Sequence, residues 1–352
     1  MKEALLLYTT IFTYCSFLLA LCYTIYIANK DRLQKDNQTP ALLLYALLVI
    51  FIGSFPYKGL GGDREIYAQG FLHATEWKAS HDVLFMAYNY FCRKIMELDM
   101  WFFLTGFLYV LGIYQLSRKK CKVESTALFV GYITFLFFSG YAVNTMRAGL
   151  AASLLLYALV WRDSNKPIYF SLLFCATQIH SSMWLPVIAL VLSLYYKNTK
   201  VYFYFWLLCI PLSYLAGSYF QQLAQPLVTD FTQRNIKGYL IEKDKMYKSG
   251  FRFDFIIYSL IPALLAYYYI YKKKVRDSFY INIVNAYLIA NGIWILVIRA
   301  NFSDRFGYLS WIFIPLLLLY PALNYKIWSK QQQKIGWIIF LQALFTFVLN
   351  IR

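Results

Sequence analysis

The chain contains 352 residues, of which 60% are hydrophobic, 20% aromatic and only 14% charged. This composition excludes an ordinary soluble globular protein and predicts a polytopic, all-α membrane protein. The formal net charge of +17 would suggest nucleic-acid binding in a soluble protein. Here the distribution of the charges, described below, explains the value without a nucleic acid.

Windows of about 20 apolar residues mark membrane-spanning helices. The first window has no clear small-residue cleavage site before Lys30 and is interpreted as a retained helix rather than a signal peptide. The predicted spans are 4–28, 40–55, 101–116, 126–141, 147–161, 167–178, 183–196, 201–220, 251–271, 278–298, 306–323 and 335–349. This gives about 12 spans. Several of them are short, which predicts broken or tilted helices around an outward-facing polar cavity.

Two long polar segments interrupt the apolar spans. The first, 56–82, is rich in glycine, and the second covers 221–250. The short apolar segment 83–96 follows the first and is predicted to be an interfacial or half-inserted helix. The chain, 1–352, is therefore predicted to be a single integral membrane domain with external loops at about 56–82 and 221–250.

Lysine and arginine are concentrated in the short loops on one side of the predicted spans. These loops contain 18 basic and five acidic residues, which predicts that this side is cytoplasmic. The basic residues are Lys30, Arg32, Lys35, Arg118, Lys119, Lys120, Lys122, Arg162, Lys166, Lys197, Lys200, Lys272, Lys273, Lys274, Arg276, Lys326, Lys330 and Lys334. The opposite face carries both long polar segments and all three histidines, so polar chemistry is expected there.

Arg147 is the only charged residue in the 36 residues from 126 to 161. An arginine next to a membrane-spanning helix costs a few kcal/mol at least and normally faces a water-filled cavity or a partner. The small residues that follow it, among them Gly149 and Ser153, allow helix backbones to approach closely. We predict that Arg147 lies at the floor of a polar cavity, while an arginine that extends to the lipid headgroups is the alternative.

The segment 57–67 brings charged residues to the end of a helix. Its glycines allow the backbone to turn tightly, and they precede Asp63, Arg64 and Glu65. A nucleotide-binding P-loop is excluded because no glycine-lysine-serine/threonine sequence follows. The alternative is a solvated loop without a function.

His180 lies between two short spans. Such a histidine is either a hydrogen-bonded packing residue or a group that accepts a proton near neutral pH or donates to a phosphate or sugar. A metal site is not expected, because His73 and His81 are in a separate loop at a spacing that does not suit metal ligands.

The segment 299–308 links two apolar helices on the external face. Two arginines there, Arg299 and Arg305, oppose the usual charge asymmetry and favour an anion site. Arg147 and Arg305 are predicted to hold a diphosphate together through bidentate hydrogen bonds. Most of the aromatic residues are expected to form lipid-facing belts and packing contacts, while a few on this face, such as Tyr67 and Tyr308, are candidates for stacking on sugars.

In the order of these motifs, the chain resembles the EpsG/Wzy-like family of bacterial polysaccharide polymerases. The matching features are the Gly62-Asp63-Arg64 segment with Tyr67, Arg147 followed by small residues, and His180-Ser181 between short helices. The segment Asp304-Arg305-Phe306-Gly307-Tyr308 completes the series, so the resemblance covers about 55–318.

The resemblance implies a GT-C-like, multi-pass protein of the bacterial inner membrane with its active site on the periplasmic face. A growing glycan on undecaprenyl diphosphate would be transferred to the sugar of an incoming lipid-linked repeat unit. His180 or Asp63 would orient or deprotonate the acceptor hydroxyl, and Arg147 and Arg305 would stabilise the charge on the diphosphate.

The remaining residues expected to bind the diphosphate or sugar are Arg64, Arg299, Asp304, Tyr67 and Tyr308. Arg64 would hold a phosphate or Asp63. No nucleotide or other cofactor is expected, and no metal, because the chain lacks an aspartate-any-aspartate triplet. The expected partners are the lipid bilayer and the flippase and chain-length regulator of the same pathway, without nucleic acid.

Two other classes of membrane protein stay open at this point. A flippase for lipid-linked oligosaccharides would place charges deep in several helices, whereas the cytoplasmic halves of these spans are nearly free of them. An acyltransferase that modifies surface glycans usually has a histidine in its first helices, whereas the earliest histidine here is His73 in an external loop.

Overall fold

The computed structural model describes residues 2–34, 38–58, 63–76, 82–231, 250–300 and 303–351, without the side chains of 2–6, 221, 223–231, 303 and 304. All regular structure in these ranges is helical, which confirms the all-α prediction. The helices are α1 Lys2–Ala28, α2 Thr39–Gly53, α3 Asp63–Leu72, α4 Val83–Ile95, α5 Leu98–Lys120, α6 Ser125–Ile133, α7 Met146–Trp161, α8 Lys166–Ile179, α9 Trp184–Tyr195, α10 Thr199–Phe231, α11 Phe253–Tyr267, α12 Ser278–Leu296, α13 Ser303–Trp311, α14 Ile314–Asn324 and α15 Gln331–Ile351.

Seven helical stretches within the described residues are long and apolar enough to cross a membrane. They are Leu7–Ala28, Leu98–Lys120, Thr199–Phe220, Phe253–Lys272, Ser278–Leu296, Arg305–Asn324 and Gln331–Ile351. Three shorter apolar helices are Thr39–Gly53, Met146–Trp161 and Ser181–Tyr195. A multi-pass membrane protein is therefore confirmed, while the count of about 12 spans stays a prediction.

The chain forms two compact units. Unit 1 contains Met1–His180 and Leu319–Arg352, and unit 2 contains Ser181–Leu318. In unit 1, α1 packs along α15, where Thr24 donates a hydrogen bond of 3.0 Å to the carbonyl of Gly336. Helices α5 and α7 also pack closely, because Gly112 has no side chain. A Cβ atom at this position would overlap Ser153 of α7. The predicted role of small residues in close helix packing is thus confirmed for Ser153.

The predicted span 126–141 does not form one continuous helix. Helix α6 ends at Ile133, and the chain reaches α7 through an irregular stretch and a π-helical turn, Gly140–Asn144. Gln342 of α15 donates to the carbonyl of Gly131 at 2.6 Å, and Thr346 donates to that of Thr134 at 2.9 Å. Carbonyls released by a break within a membrane must find partners in the protein. Side chains of α15 provide them here, so the break is tolerated.

Two further predicted boundaries differ from the structure. Helix α10 continues to Phe231 and so includes the first part of the predicted loop 221–250, of which 232–249 lie outside the described residues. The predicted span 306–323 divides into α13 and α14 at a turn formed by Ile312 and Phe313. The first polar segment also contains a helix, α3. Polarity therefore predicted where the chain leaves the apolar spans, but not where the helices end.

The loops predicted to share one side meet at one end of unit 1, which we call the basic end. Lys30 forms an ion pair of 2.7 Å with Glu124, and Lys120 forms one of 2.8 Å with Asp163. The backbone N–H of Lys122 donates to Asn324 at 3.0 Å. Four loops that are distant in the sequence are therefore joined, as the charge pattern predicted for this unit.

A buried polar network connects four helices of unit 2. Asn291 of α12 donates to Ser259 of α11 at 3.1 Å and to Ser310 of α13 at 2.9 Å. Trp206 of α10 donates to the Asn291 side-chain oxygen at 2.7 Å. Because each polar atom of the amide has a partner, the network fixes the relative positions of these helices without leaving a buried group unsatisfied.

Candidate functional site

Arg147 lies in the first turn of α7, directly after the π-helical turn. Its Nη1 forms an ion pair of 2.7 Å with Oδ2 of Asp82 at the start of α4. Positive charge is unfavourable at the N-terminal end of a helix because of the helix dipole. The carboxylate of Asp82 offsets this effect. Arg147 therefore faces an acidic partner on the end of unit 1 opposite the basic end.

Protein contacts cover only part of the Arg147 guanidinium. Its side chain is 28% exposed, whereas that of Asp82 is 7% exposed. Within the described part of the chain, Asp82 is its one ion-pair partner, and Nε is buried without a hydrogen-bond partner. The ring of Phe85 lies 5.9 Å from the guanidinium carbon. Arg147 is thus held by one carboxylate and remains accessible to a further anion.

Arg64 has a different environment on the same end of unit 1. It is 2% exposed, and Nη2 donates to the carbonyl of Ile52 at 2.8 Å, near the C-terminal end of α2. Its guanidinium carbon lies 3.9 Å from the centre of the Phe102 ring. Burial lowers the pKa of Arg64 to about 9. The structure therefore gives Arg64 other partners than the phosphate or the Asp63 carboxylate expected from the sequence.

Asp63 and Tyr67 are placed next to the Arg147 segment by α3. The backbone N–H of Asp63 donates to the side-chain oxygen of Asn144 at 3.3 Å. The ring of Tyr67 lies 5.9 Å from that of Phe85, which also lies beneath Arg147. The structure thus brings together two motifs that are distant in the sequence. The predicted glycines 59, 61 and 62 lie outside the described residues.

His180 ends α8 in an extended conformation and is half-buried. Its backbone N–H donates to the carbonyl of Ala176 at 3.1 Å. The preceding residue, Ile179, packs against the apolar cluster that contains Met146 and Leu150 of α7. The chain before His180 therefore shares a packing cluster with the segment that carries Arg147.

The predicted residues of unit 2 lie around α13. Arg305 and Tyr308 are half-buried, and the Tyr308 ring lies 6.1 Å from that of Trp311. The backbone of Asp304 belongs to α13, while its side chain lies outside the described residues. Arg147 belongs to unit 1 and Arg305 to unit 2. Their joint action on one diphosphate stays a prediction.

Arg299 is docked at a kink in α10. Ala216 leaves the helical conformation (φ −128°, ψ 24°), and Nη2 of Arg299 donates to the nearby carbonyl of Tyr214 at 2.9 Å. A side chain at Gly217 would contact Arg299 at 2.8 Å. Irregular helix geometry releases carbonyl groups that need donors. Arg299 supplies one donor here and thereby stabilises the kink.

An open cleft of about 460 Å³ adjoins α3 in unit 1. It lies between the outer face of α3, the start of α5 and the segment before α3. Its lining residues are Tyr57, Lys58, Glu65, Gln69, Leu72, Glu97, Leu98 and Asp99. An aromatic ring together with amide and carboxylate oxygens can bind hydroxyl groups as well as solvent.

Comparison with known protein families matches residues 40–351 to the EpsG family. The chain belongs to the EpsG family. The match includes every predicted site residue, and it confirms the family resemblance derived from the sequence. Membership indicates a membrane protein of the polysaccharide-polymerase type, associated with glycosyltransferase activity. Neither the curated proteins nor the solved structures contain a match to the chain.

The sequence predictions for this EpsG-family chain did not include Asp82. It directly precedes the apolar helix α4. Asp304 also lies before an apolar helix, so this position alone does not mark Asp82 as a functional residue. The available signal was indirect: an arginine at the edge of a membrane requires a counter-ion. Asp82 lies in a segment that the sequence predicted to be external, but its pairing with Arg147 depends on how α4 and α7 pack.

Proposed function

We propose that this EpsG-family protein is a Wzy-type polymerase. It moves a growing glycan from undecaprenyl diphosphate onto the sugar of an incoming lipid-linked repeat unit. A hydroxyl oxygen of the acceptor sugar forms a bond to the anomeric carbon of the donor while the bond to the diphosphate breaks. The hydroxyl proton passes to a base, and the lipid diphosphate leaves with the bonding electron pair.

The observation that carries this proposal is the environment of Arg147. A single arginine, in an otherwise uncharged stretch, is placed beside a π-helical turn with donors that remain accessible. A guanidinium suits a developing diphosphate charge because it stays ionised and donates in a fork geometry. No nucleotide is required, since a lipid diphosphate is already an activated leaving group.

The other groups, except Arg64, keep the roles predicted from the sequence. His180 or Asp63 acts as the base, and both belong to unit 1, as Arg147 does. Arg305, with Arg299 as a reserve, stabilises the leaving diphosphate, and this role is tested by Arg305→Ala, which should abolish the polymer. Tyr67, Tyr308 and Asp304 contact sugars. Arg64 supports the fold beneath this region.

The proposed setting is the bacterial inner membrane, with about 12 spans in a GT-C-like arrangement around a cavity open to the periplasm. Support comes from unit 1, where the basic loops lie at one end and the Arg147–Asp82 pair at the other. A flippase that delivers the repeat units and a chain-length regulator are the proposed partners. The reaction is metal-independent, so chelation of divalent cations should leave it unchanged.

The test is deletion of the gene in its native host, followed by complementation with wild type, Arg147→Ala or the control Lys120→Ala. Surface glycan is then separated on a gel. We expect deletion and Arg147→Ala to remove the long-chain ladder while single repeat units still reach the surface, and Lys120→Ala to restore the ladder.

The other outcomes identify the competing functions. Loss of even the single unit on deletion would point to a flippase, and an intact ladder that lacks only a substituent would point to an acyltransferase. A normal ladder from Arg147→Ala would contradict the proposed role of this residue. Membrane levels of each variant, measured by immunoblot, separate loss of activity from loss of protein.

A further inference from the structure

The ion pair between Arg147 and Asp82 leads to an inference that rests on the proposed function and extends it. We propose that Asp82 is a positioning residue that holds Arg147 in place and competes with the diphosphate for its guanidinium. The carboxylate thereby limits how tightly the leaving lipid diphosphate is held, so that this product dissociates after each glycan transfer.

The first support is the local placement of Asp82. It occupies the N-cap position of α4, where an aspartate normally accepts a hydrogen bond from the backbone of the first helical turn. Its side chain makes no such capping bond. The carboxylate instead lies 2.7 Å from Arg147. The side chain of Asp82 therefore contacts a residue of another helix instead of capping its own helix.

The second support is the accessibility of the Arg147 guanidinium, whereas the guanidinium of Arg64 is buried. The Arg64 side chain is sealed against backbone carbonyls and the Phe102 ring. Arg147 is 28% exposed, and within the described residues Asp82 is its one ion-pair partner. An ion pair that served only to stabilise the packing of α4 on α7 would not require an accessible guanidinium. The accessible guanidinium of Arg147 can bind a phosphate, with which the carboxylate of Asp82 then competes.

The third support is the charge change during the reaction. When the bond to the sugar breaks, the diphosphate gains negative charge, so an arginine binds the product more strongly than the substrate. A carboxylate beside the guanidinium repels the product and returns to Arg147 when the product leaves. Such a group raises the rate of product release and weakens product binding.

The test measures binding of undecaprenyl diphosphate to the purified full-length protein in lipid nanodiscs, together with polymerisation of lipid-linked repeat units. The variants are Asp82→Asn, Asp82→Glu and Arg147→Ala. We expect Asp82→Asn to lower the Kd for undecaprenyl diphosphate by on the order of tenfold, because one competing charge is removed. We also expect kcat to fall, since product release becomes slower, while Asp82→Glu keeps the Kd of the wild type.

The control is Asp163→Asn, which removes the acid of an ion pair of similar length at the basic end. It should change neither the Kd nor kcat. Asp82→Ser is the second neutral variant if Asp82→Asn does not fold. An unchanged or higher Kd in a folded neutral variant would overturn the proposal, as would failure of both neutral variants to fold, since Asp82 would then be purely structural.

The same measurements separate this proposal from the proposed function. If the wild type and Arg147→Ala bind undecaprenyl diphosphate equally, the role of Arg147 in the reaction is wrong. If Arg147→Ala loses binding but Asp82→Asn does not gain it, the reaction stands and the competition by Asp82 is wrong. Tight binding by Asp82→Glu would show that side-chain length, rather than charge, controls the affinity and would also reject the proposal.

Discussion

The two ends of unit 1 each contain an ion pair of 2.7 Å, but the pairs differ in what surrounds them. At the basic end, Glu124 is fully buried and accepts hydrogen bonds from Lys30 and from the backbone N–H of Gln34. At the opposite end, Arg147 is partly exposed, and Asp82 is its one ion-pair partner within the described residues. A saturated pair stabilises the fold, whereas an unsaturated pair can exchange its partner for a ligand.

The titration of Lys30 agrees with a saturated pair. Burial lowers its pKa, but the hydrogen bond and the charge of Glu124 outweigh burial, so the pKa is raised above 10.5. The stabilisation through Lys30 is therefore fully present at neutral pH and is lost only as the pH rises through this elevated value. Lys30 therefore remains charged at physiological pH, as expected of a structural contact.

Arg147→Ala should have the largest effect on function. We expect polymerisation to fall by about 100-fold or more, because a preorganised donor to the leaving diphosphate is lost. Arg147→Lys should recover only a small part of the activity, since an ammonium group cannot donate in a bidentate fork. In vitro polymerisation of lipid-linked repeat units measures both. Full activity in the lysine variant would mean that charge alone is sufficient.

Glu124→Gln should have the largest effect on stability. It leaves the largely enclosed ammonium of Lys30, 15% exposed, without its counter-ion and should lower the free energy of unfolding by about 3 kcal/mol. Thermal unfolding in detergent measures the change. Molecules that remain folded should retain wild-type kcat, and a lower kcat at an unchanged melting temperature would show that the basic end also contributes to catalysis.

Arg64→Met should have a moderate effect on stability. Loss of the donor leaves the carbonyl at the end of α2 unsatisfied, with a cost of about 1–3 kcal/mol. Methionine keeps much of the packing against Phe102. Because Arg64 is sealed, the Kd for undecaprenyl diphosphate should not change. If the Kd instead rises as it does in Arg147→Ala, Arg64 contacts the phosphate directly, as the sequence predicted.

Asp163→Asn should have the smallest effect. The carboxylate of Asp163 is half-exposed, and such ion pairs contribute about 0.2–1 kcal/mol to stability. Burial raises its pKa, but the hydrogen bond from Lys120 and the charges of Lys120 and Arg162 outweigh burial and lower it. Its contribution is therefore present at neutral pH and lost as the pH falls below 3.8. Melting temperatures at pH 7 and at acid pH, in wild type and variant, test this.

The sequence predicted those features that depend on local composition. The isolation of Arg147 in an apolar stretch and the presence of small residues after it are visible without a structure, and close packing at Ser153 followed from them. The clustering of the basic loops followed from charge asymmetry. Each of these properties is set by residues close together in the chain.

The features that the sequence did not predict depend on contacts between distant segments. Arg64 resembles an exposed loop residue until α2 and α5 enclose it. Asp82 resembles an ordinary helix cap until α7 presents Arg147 to it. The break after α6 is tolerated because Gln342, far along the chain, satisfies the carbonyl of Gly131. Periodicity and hydropathy contain no information about such pairings.

The contacts from α15 to the break before α7 also have a consequence for biosynthesis. Gln342 and Thr346 are translated after every other helix described, yet they satisfy the carbonyls of Gly131 and Thr134. These carbonyls therefore lack their α15 donors until that helix has been synthesised. The break that leads to Arg147 therefore acquires these two donors only after α15 is synthesised, so a chain truncated before Gln342 should hold Arg147 in a less ordered segment.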